Sequence, residues 1–210
     1  MVEMKKLIIL VILLAFAISA YFYPSMPEQM ASHWNAAGDV NGYLPRFWGV
    51  FLLPIMMAVF GVVLYLLPFI DPLKKNYRSF RKEYDGLILV LVLFLLFVHV
   101  QAVLWNAGVE ISFSVTMPVG VGMLMVYLGH IMKKVKRNWF IGIRTPWTMS
   151  SDRVWEKTHM LGSKLFIASG IIIILSSLVP AYSIYLILAT VFGSVILTVV
   201  YSFLEFRKNL

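Results

Sequence analysis

The sequence predicts an all-α membrane protein with six transmembrane helices and an ordered polar loop between the fourth and fifth of them. Sixty per cent of the 210 residues are apolar and only 13% are charged, against roughly 25% charged residues in soluble domains. The apolar residues form six runs that can cross a bilayer, which takes about 20 residues of helix. The mean hydropathy of +0.85 fits the same class.

Short polar connections separate the six predicted spans, which cover residues 6–23, 47–69, 86–106, 113–132, 161–179 and 182–204. Seventeen of the 18 Lys and Arg residues fall at the two termini or in and beside the second and fourth connections. Basic residues accumulate on the cytoplasmic side of membrane proteins, so both termini are predicted to be cytoplasmic. The same bias accounts for the net charge of +8 through orientation and contact with lipid headgroups, and direct nucleic-acid binding is not predicted.

The connection between the first and second spans, residues 24–45, is predicted to be external. Gly38, Asn41 and Gly42 favour turns there. The motif HWN supplies the candidate residues His33, Trp34 and Asn35. One interpretation is an interfacial loop with aromatic rings at headgroup depth. The other is a rigid cap that contacts a ligand or covers the mouth of a cavity; a metal site at His33 is disfavoured because the nearby acids have unsuitable spacing.

The third span contains the clearest ionisable residue at membrane depth, His99. Such a residue normally faces the bundle interior and is a candidate for function. The alternative is an interhelical hydrogen bond worth about 1 kcal/mol or less. Asn106 and Glu110 follow His99, and together with these three residues the outer ends of the third and fourth spans are predicted to form a polar pocket below the external loop.

The fourth span contains Pro118, Gly120 and Gly122 in its outer half. This pattern occurs in broken or bent helices that line a cavity. Small residues also let helices pack closely, and close packing is the favoured interpretation.

The long polar segment 138–159 contains three Trp residues, which a flexible linker does not need. We expect their rings to be shielded from water, and therefore the segment to fold back onto the membrane domain. Gly142 and Pro146 bracket a predicted tight turn. Ser150, Ser151 and Asp152 are suited to start a helix that continues into the fifth span. On that helix a stripe is predicted to face inward: Trp155, His159, Gly162 and Phe166.

Arg144 in this segment allows two interpretations. Its guanidinium can bind a carboxylate or backbone carbonyls and stack on Trp147. Alternatively it locks the loop onto the ends of the spans, buried beside aromatic rings, and this second interpretation is favoured.

The chemistry of an enzyme is not predicted. The sequence shows no Ser-His-Asp pattern, no Gly-rich phosphate loop and no paired intramembrane carboxylates. Asp152, Glu156 and His159 resemble metal ligands only superficially, because no second His lies nearby. No metal and no cofactor are therefore expected.

Two motifs together resemble a known family: HWNAAGDVNGY at 33–43, and NWFIGIRTPWT at 138–148 with VWEKTH at 154–159. They closely resemble the bacterial and archaeal SdpI-type family, named after the immunity protein against the sporulation-delaying-protein toxin. The resemblance implies two fused halves in the inner membrane, residues 1–83 with a domain of unknown function and residues 84–210 with the SdpI-like part. Arg46 stands where a Lys is expected and keeps the charge. Matching positions are His33, Trp34, Asn35, Gly38 and Tyr43 outside, and Asn138, Gly142, Arg144, Thr145, Pro146, Trp147, Trp155, His159 and Gly162 inside.

The resemblance implies an immunity and signalling protein. Its expected partners are a secreted peptide toxin that collapses the membrane potential and a transcriptional repressor recruited inside. The predicted partner-binding residues are His33, Trp34, Asn35, His99, Asn138, Arg144, Thr145, Trp147, Trp155 and His159. One alternative is a small transporter or proton-permeation protein that uses His99 and the polar outer ends of the third and fourth spans. Another is a scaffold whose basic face recruits a protein.

Overall fold

A computed structural model describes residues 2–208 and confirms the polytopic all-α class, with six helices long and apolar enough to cross a membrane. The helices are α1 (Val2–Phe22), α2 (Arg46–Ile70), α3 (Arg81–Asn106), α4 (Phe113–Met132), α5 (Pro146–Ser150), α6 (Asp152–Ser176) and α7 (Pro180–Arg207). Each of them except the short α5 corresponds to one predicted span, although α1 and α6 end slightly before the predicted ends at 23 and 179. Helix α3 begins at Arg81 and α6 at Asp152, before the spans predicted to start at 86 and 161. Each helix therefore has polar first turns that precede its apolar span.

The connections lie at two opposite ends of the bundle. At one end, which we call the basic end, the Trp139 amide donates to Asp71 across 2.9 Å, joining residues 133–151 to residues 71–80. The start of α1 and the end of α7 lie there too. At the other end, the hairpin end, the Ala31 amide donates to Asn106 Oδ1 across 2.8 Å. The cytoplasmic location of the basic end stays a prediction.

The predicted external loop is instead largely a β-hairpin. Strands β1 (Gln29–Trp34) and β2 (Val40–Pro45) pair antiparallel with irregular register near His33. Of the three predicted turn residues, only Gly38 lies in the turn, with φ at 93°, whereas Asn41 and Gly42 belong to β2. Pairing in the sheet satisfies backbone groups that a loop at a membrane surface would leave open.

The long helices pack in two groups. Helices α1 and α2 pack against α3, while α4 packs closely against α6, which in turn packs against α7. A Cβ atom at Gly122 of α4 would lie 2.6 Å from the Gly170 carbonyl oxygen of α6. Helix α4 runs unbroken through Pro118. Gly122 therefore allows α4 to pack closely against α6, which confirms the favoured interpretation. The predicted domain division at residue 83 stays a prediction.

Candidate functional site

The loop between α4 and α6, residues 133–151, is organised around the fully buried side chain of Asn138. Its Oδ1 accepts from the amides of Phe140 (2.9 Å) and Ile141 (2.7 Å) and from the Tyr77 hydroxyl (3.2 Å). Its Nδ2 donates to the carbonyls of Lys136 and Ile141, both at 2.9 Å. A buried amide with this many partners fixes the local backbone.

A second buried group, Asp71, attaches this loop to the end of α2, and sequence reasoning missed it. Its Oδ2 accepts from the Trp139 amide at 2.9 Å and from the Tyr77 hydroxyl at 3.1 Å, and its Oδ1 accepts from the Leu73 amide at 2.6 Å. Asn76 adds a bond of 2.7 Å to the Arg137 carbonyl. The available signal was an acid placed directly after an apolar run, which is too common to identify a partner 68 residues away.

His159 holds the turn of the loop from below. Its Nε2 accepts from the Ile143 amide at 3.0 Å, so Nδ1 carries the proton and donates to the Trp155 carbonyl at 2.8 Å. The Trp155 and His159 rings stack with centroids 4.0 Å apart, and Trp155 Nε1 donates to the Val135 carbonyl at 2.8 Å. Gly142 has φ at 110°, and a Cβ there would meet both rings. The inward stripe is confirmed, with Phe166 only half-buried, whereas the chain bends at residues 139–142, just before the turn predicted at 143–145.

The short helix α5 attaches the loop to α7. Thr145 is its N-cap, and Thr145 and Thr148 form a reciprocal capping box. The Thr145 and Ser202 hydroxyls lie 3.0 Å apart, and the half-buried Trp147 ring contacts Phe203 with centroids 5.0 Å apart. The predicted folding of the segment onto the membrane domain is thus confirmed.

Arg144 and Trp139 differ from the prediction. Arg144 is exposed, and its Nη1 donates to the carbonyl of Trp139 within the same loop. Trp139 itself is 51% exposed. Neither the expected burial of Arg144 nor the expected shielding of this Trp ring is correct, because Asn138 and Asp71 already fix the loop from inside. Arg144 and Trp139 instead place a cation and an aromatic ring on the outer surface of the basic end.

The acids near His159 have other partners. Asp152 pairs with Arg137 at 2.9 Å, and Glu156 pairs with Lys136 at 2.7 Å. His159 points inward to the loop backbone. Within residues 2–208, no group of three His, Cys, Asp or Glu residues is placed to hold a metal ion.

At the hairpin end the three HWN residues have different environments. His33 is exposed and lies 2.5 Å from Asn41 Oδ1 on the paired strand. Asn35 organises the turn, accepting from the amides of Ala37 (2.9 Å) and Asp39 (3.0 Å). Trp34 stacks on Phe113 of α4 at a centroid distance of 3.9 Å and packs edge-on against Trp105. The hairpin is thereby fixed to α3 and α4.

A pocket of about 280 Å³ lies beneath this hairpin. Its lining includes Trp34, Asn35, Phe113, Ser114, Met117 and Ile184. Trp34 Nε1 is buried and has no hydrogen-bond partner among the described residues. The hairpin therefore covers a mostly apolar cavity, with a buried indole N–H in its wall residue Trp34. This matches the interpretation of the external segment as a cap.

The predicted pocket lies below the hairpin, but His99, Asn106 and Glu110 are not among its lining residues. His99 is fully buried and faces the bundle interior, 3.1 Å from the Ser19 hydroxyl of α1, which itself donates to the Val50 carbonyl. Asn106 binds the hairpin backbone at Ala31, and Glu110 is exposed. The inward orientation of His99 is confirmed. The cavity is built by the hairpin, Val98 of α3, the first half of α4 and the start of α7.

The fold and its two ordered ends define a polytopic membrane protein with a capped pocket at one end and a rigid loop at the other. Comparison with known proteins shows which proteins it resembles. Residues 134–202 match the SdpI/YfhL protein family, and residues 10–58 match a domain of unknown function, DUF1648. These matches confirm the resemblance to the SdpI family, and with the six spans they support a multi-pass protein of the cell membrane.

Two proteins from Bacillus subtilis (strain 168) are similar to this chain in sequence. The immunity protein SdpI is 26% identical over 208 residues, 98% of this chain and 98% of the relative. The uncharacterized membrane protein YbgB is 34% identical over 50 residues, 24% of this chain and 55% of the relative. No solved structure gives a significant match.

Proposed function

We propose that this protein is a membrane immunity protein that protects its cell from a secreted membrane-active peptide, without enzymatic chemistry. The observation that carries the proposal is the similarity to an immunity protein over 98% of both chains, which includes the hairpin as well as the rigid loop. Similarity confined to one end would support only a shared membrane domain.

The pocket beneath the hairpin is the proposed site for the peptide. Its wall is largely aromatic and aliphatic, suited to the apolar side chains of a membrane-active peptide. Trp34 Nε1 offers an unused donor to a peptide carbonyl, and an unpaired buried donor favours a ligand that supplies an acceptor. Stacking on Phe113 holds the Trp34 ring in place, so this donor is already oriented before binding.

The exposed pair of Arg144 and Trp139 at the basic end is the proposed surface for a cytoplasmic partner, such as a transcriptional repressor. Exposed Arg and Trp residues are the types enriched at protein interfaces. The loop beneath them is rigid because Asn138, Asp71 and His159 bind its backbone. A partner therefore meets a surface that needs little ordering.

The proposal is tested by measuring membrane depolarisation in toxin-sensitive bacteria that express this chain and are challenged with the sporulation-delaying peptide. We expect wild type to protect and Trp34→Phe, which keeps an aromatic ring but removes the N–H group, to protect several-fold less. Trp105→Phe is the matched control, because its ring packs beside Trp34 outside the lining of the pocket.

Arg144→Ala tests the basic end in the same cells. The side chain is exposed, and its hydrogen bond among the described residues goes to the Trp139 carbonyl of the same loop, so the variant should insert normally and lose signalling or protection. Arg153→Ala removes another exposed Arg of the same end and should behave as wild type. Full protection and full signalling by Arg144→Ala would remove the loop surface from the mechanism. No protection by correctly inserted wild type would reject immunity to this peptide.

A second candidate is proton or ion permeation through His99. One observation favours it: His99 is fully buried at membrane depth and its ring contacts the Ser19 hydroxyl of a neighbouring helix. This candidate predicts a flux in proteoliposomes that falls with His99→Leu. An unchanged flux would leave His99 as a link between α1 and α3.

A further inference from the structure

A lipid-facing groove runs between α1 and α2 with α3 as its floor, far from the hairpin pocket. Its volume is about 440 Å³, and its lining includes Ile9, Gly61 and Ile88. Gly61 leaves the space open, because only Ile12 Cδ1 lies near a Cβ built there, at 3.3 Å. The walls are long aliphatic side chains, and Ile9 is 57% exposed on the membrane-facing surface. The groove has the dimensions and chemistry to hold an acyl chain.

The basic-end mouth of this groove is polar, which distinguishes it from an ordinary gap between helices. Asp85 lines it and is 1% exposed. Its Oδ1 pairs with Arg81 Nε at 2.9 Å, but its Oδ2 has no hydrogen-bond partner among the described residues. A buried carboxylate oxygen without a donor is costly, so a donor from outside the protein is expected to reach it.

Lys5 lies on the opposite side of the mouth. Its ammonium is 4.8 Å from the centre of the Tyr65 ring. None of the salt bridges within residues 2–208 includes Lys5. The mouth therefore presents a cation without a paired acid and an anion with one unpaired oxygen. A headgroup with both a phosphate and a hydrogen-bond donor complements these two charges.

We propose that this groove is a specific site for a phospholipid of the phosphatidylethanolamine type. An acyl chain lies along Ile9, Gly61 and Ile88, the phosphate meets Lys5, and the ammonium donates to Asp85 Oδ2. Phosphatidylcholine carries the same net charge and the same chains, but its headgroup has no N–H donor. The N–H donor of the lipid ammonium, which Asp85 Oδ2 accepts, therefore sets the preference between the two lipids. The site is independent of the proposed immunity function.

The test is native mass spectrometry of the purified full chain titrated with phosphatidylethanolamine or phosphatidylcholine of identical acyl chains. We expect wild type to retain phosphatidylethanolamine about tenfold more strongly, as expected for one charge-assisted hydrogen bond. Asp85→Asn should reduce this ratio to near one. Gly61→Leu fills the groove and should lose the bound lipid of either kind.

Two controls match these changes. Gly193→Leu places the same side chain on α7, where a Cβ meets open space, and should bind lipid as wild type does. Asp152→Asn removes an exposed acid of the basic end and should keep the tenfold preference. Resistance of the 133–151 loop to trypsin verifies folding of each variant. Equal retention of both lipids by wild type, an unchanged preference in Asp85→Asn, or retention by Gly61→Leu equal to that of Gly193→Leu would each overturn the proposal.

Discussion

The network around Asn138 gives a quantitative prediction for the rigidity of the 133–151 loop. Asn138→Ala removes five hydrogen bonds and leaves the amides of Phe140 and Ile141 without their acceptor. A buried group without its partner costs about 1–3 kcal/mol. Water entering the vacated space offsets part of this, so we expect local opening of the loop to become easier by about 2–4 kcal/mol.

Opening of the loop can be followed by trypsin cleavage after the exposed Arg144, with the two fragments identified by mass. When opening and closing are fast, the cleavage rate follows the population of the open state. A change of about 2–4 kcal/mol then raises the rate about 30- to 700-fold. The expected increase is large enough to measure in detergent without unfolding the helices.

Asn76→Ala is the graded control, because it removes one hydrogen bond of 2.7 Å to the same loop. Its cost of about 1 kcal/mol corresponds to about a fivefold faster cleavage. If Asn138→Ala is cleaved no faster than Asn76→Ala, the Asn138 network does not hold the loop and the reasoning is refuted.

Three further predictions concern the loop and the orientation of the chain. Gly142→Ala should accelerate the same cleavage, since φ at 110° disfavours Ala and its Cβ meets His159; a wild-type rate would contradict this. Asp71→Asn should destabilise the loop by about 1–2 kcal/mol, because a neutral amide accepts more weakly from Trp139 and Tyr77; the cleavage assay would show an unchanged rate if the carboxylate is unimportant. The chain has no Cys, so Ser32→Cys and Ser150→Cys can be labelled individually in intact cells; an impermeant maleimide should reach only Ser32→Cys, and the opposite result would reverse the orientation.

The sequence predicted the parts of the fold that depend on composition and local patterns. Six apolar runs gave six spans, and Ser151 was among the polar residues placed at the start of the helix that enters the fifth span. The inward stripe on α6 followed from spacings of three and four residues, and Trp155 and His159 are each 1% exposed. These features involve residues close in the chain, for which helical periodicity determines the neighbours.

The site was predicted less completely. The sequence singled out Asn138 and Trp34 through the family resemblance, but it gave Asn138 no partner, since Tyr77 is 61 residues away. It also placed Arg144 inside the protein, where an aromatic-rich segment suggested burial. Burial of one residue in such a loop depends on which neighbours already fill the interior, and Asp71 and Asn138 do so here.

The sequence by itself determined that this is a six-span membrane protein with two ordered polar segments and an SdpI-like signature. Length, hydropathy and motifs are properties of the chain alone, and a bilayer leaves few ways to satisfy the backbone. Only the tertiary structure decided that the segment between the first two spans is a hairpin over a pocket, that His99 contacts Ser19 and that Asp85 lines a groove between α1, α2 and α3. Each of these depends on contacts between helices, and the packing of α1, α3 and α4 sets those contacts.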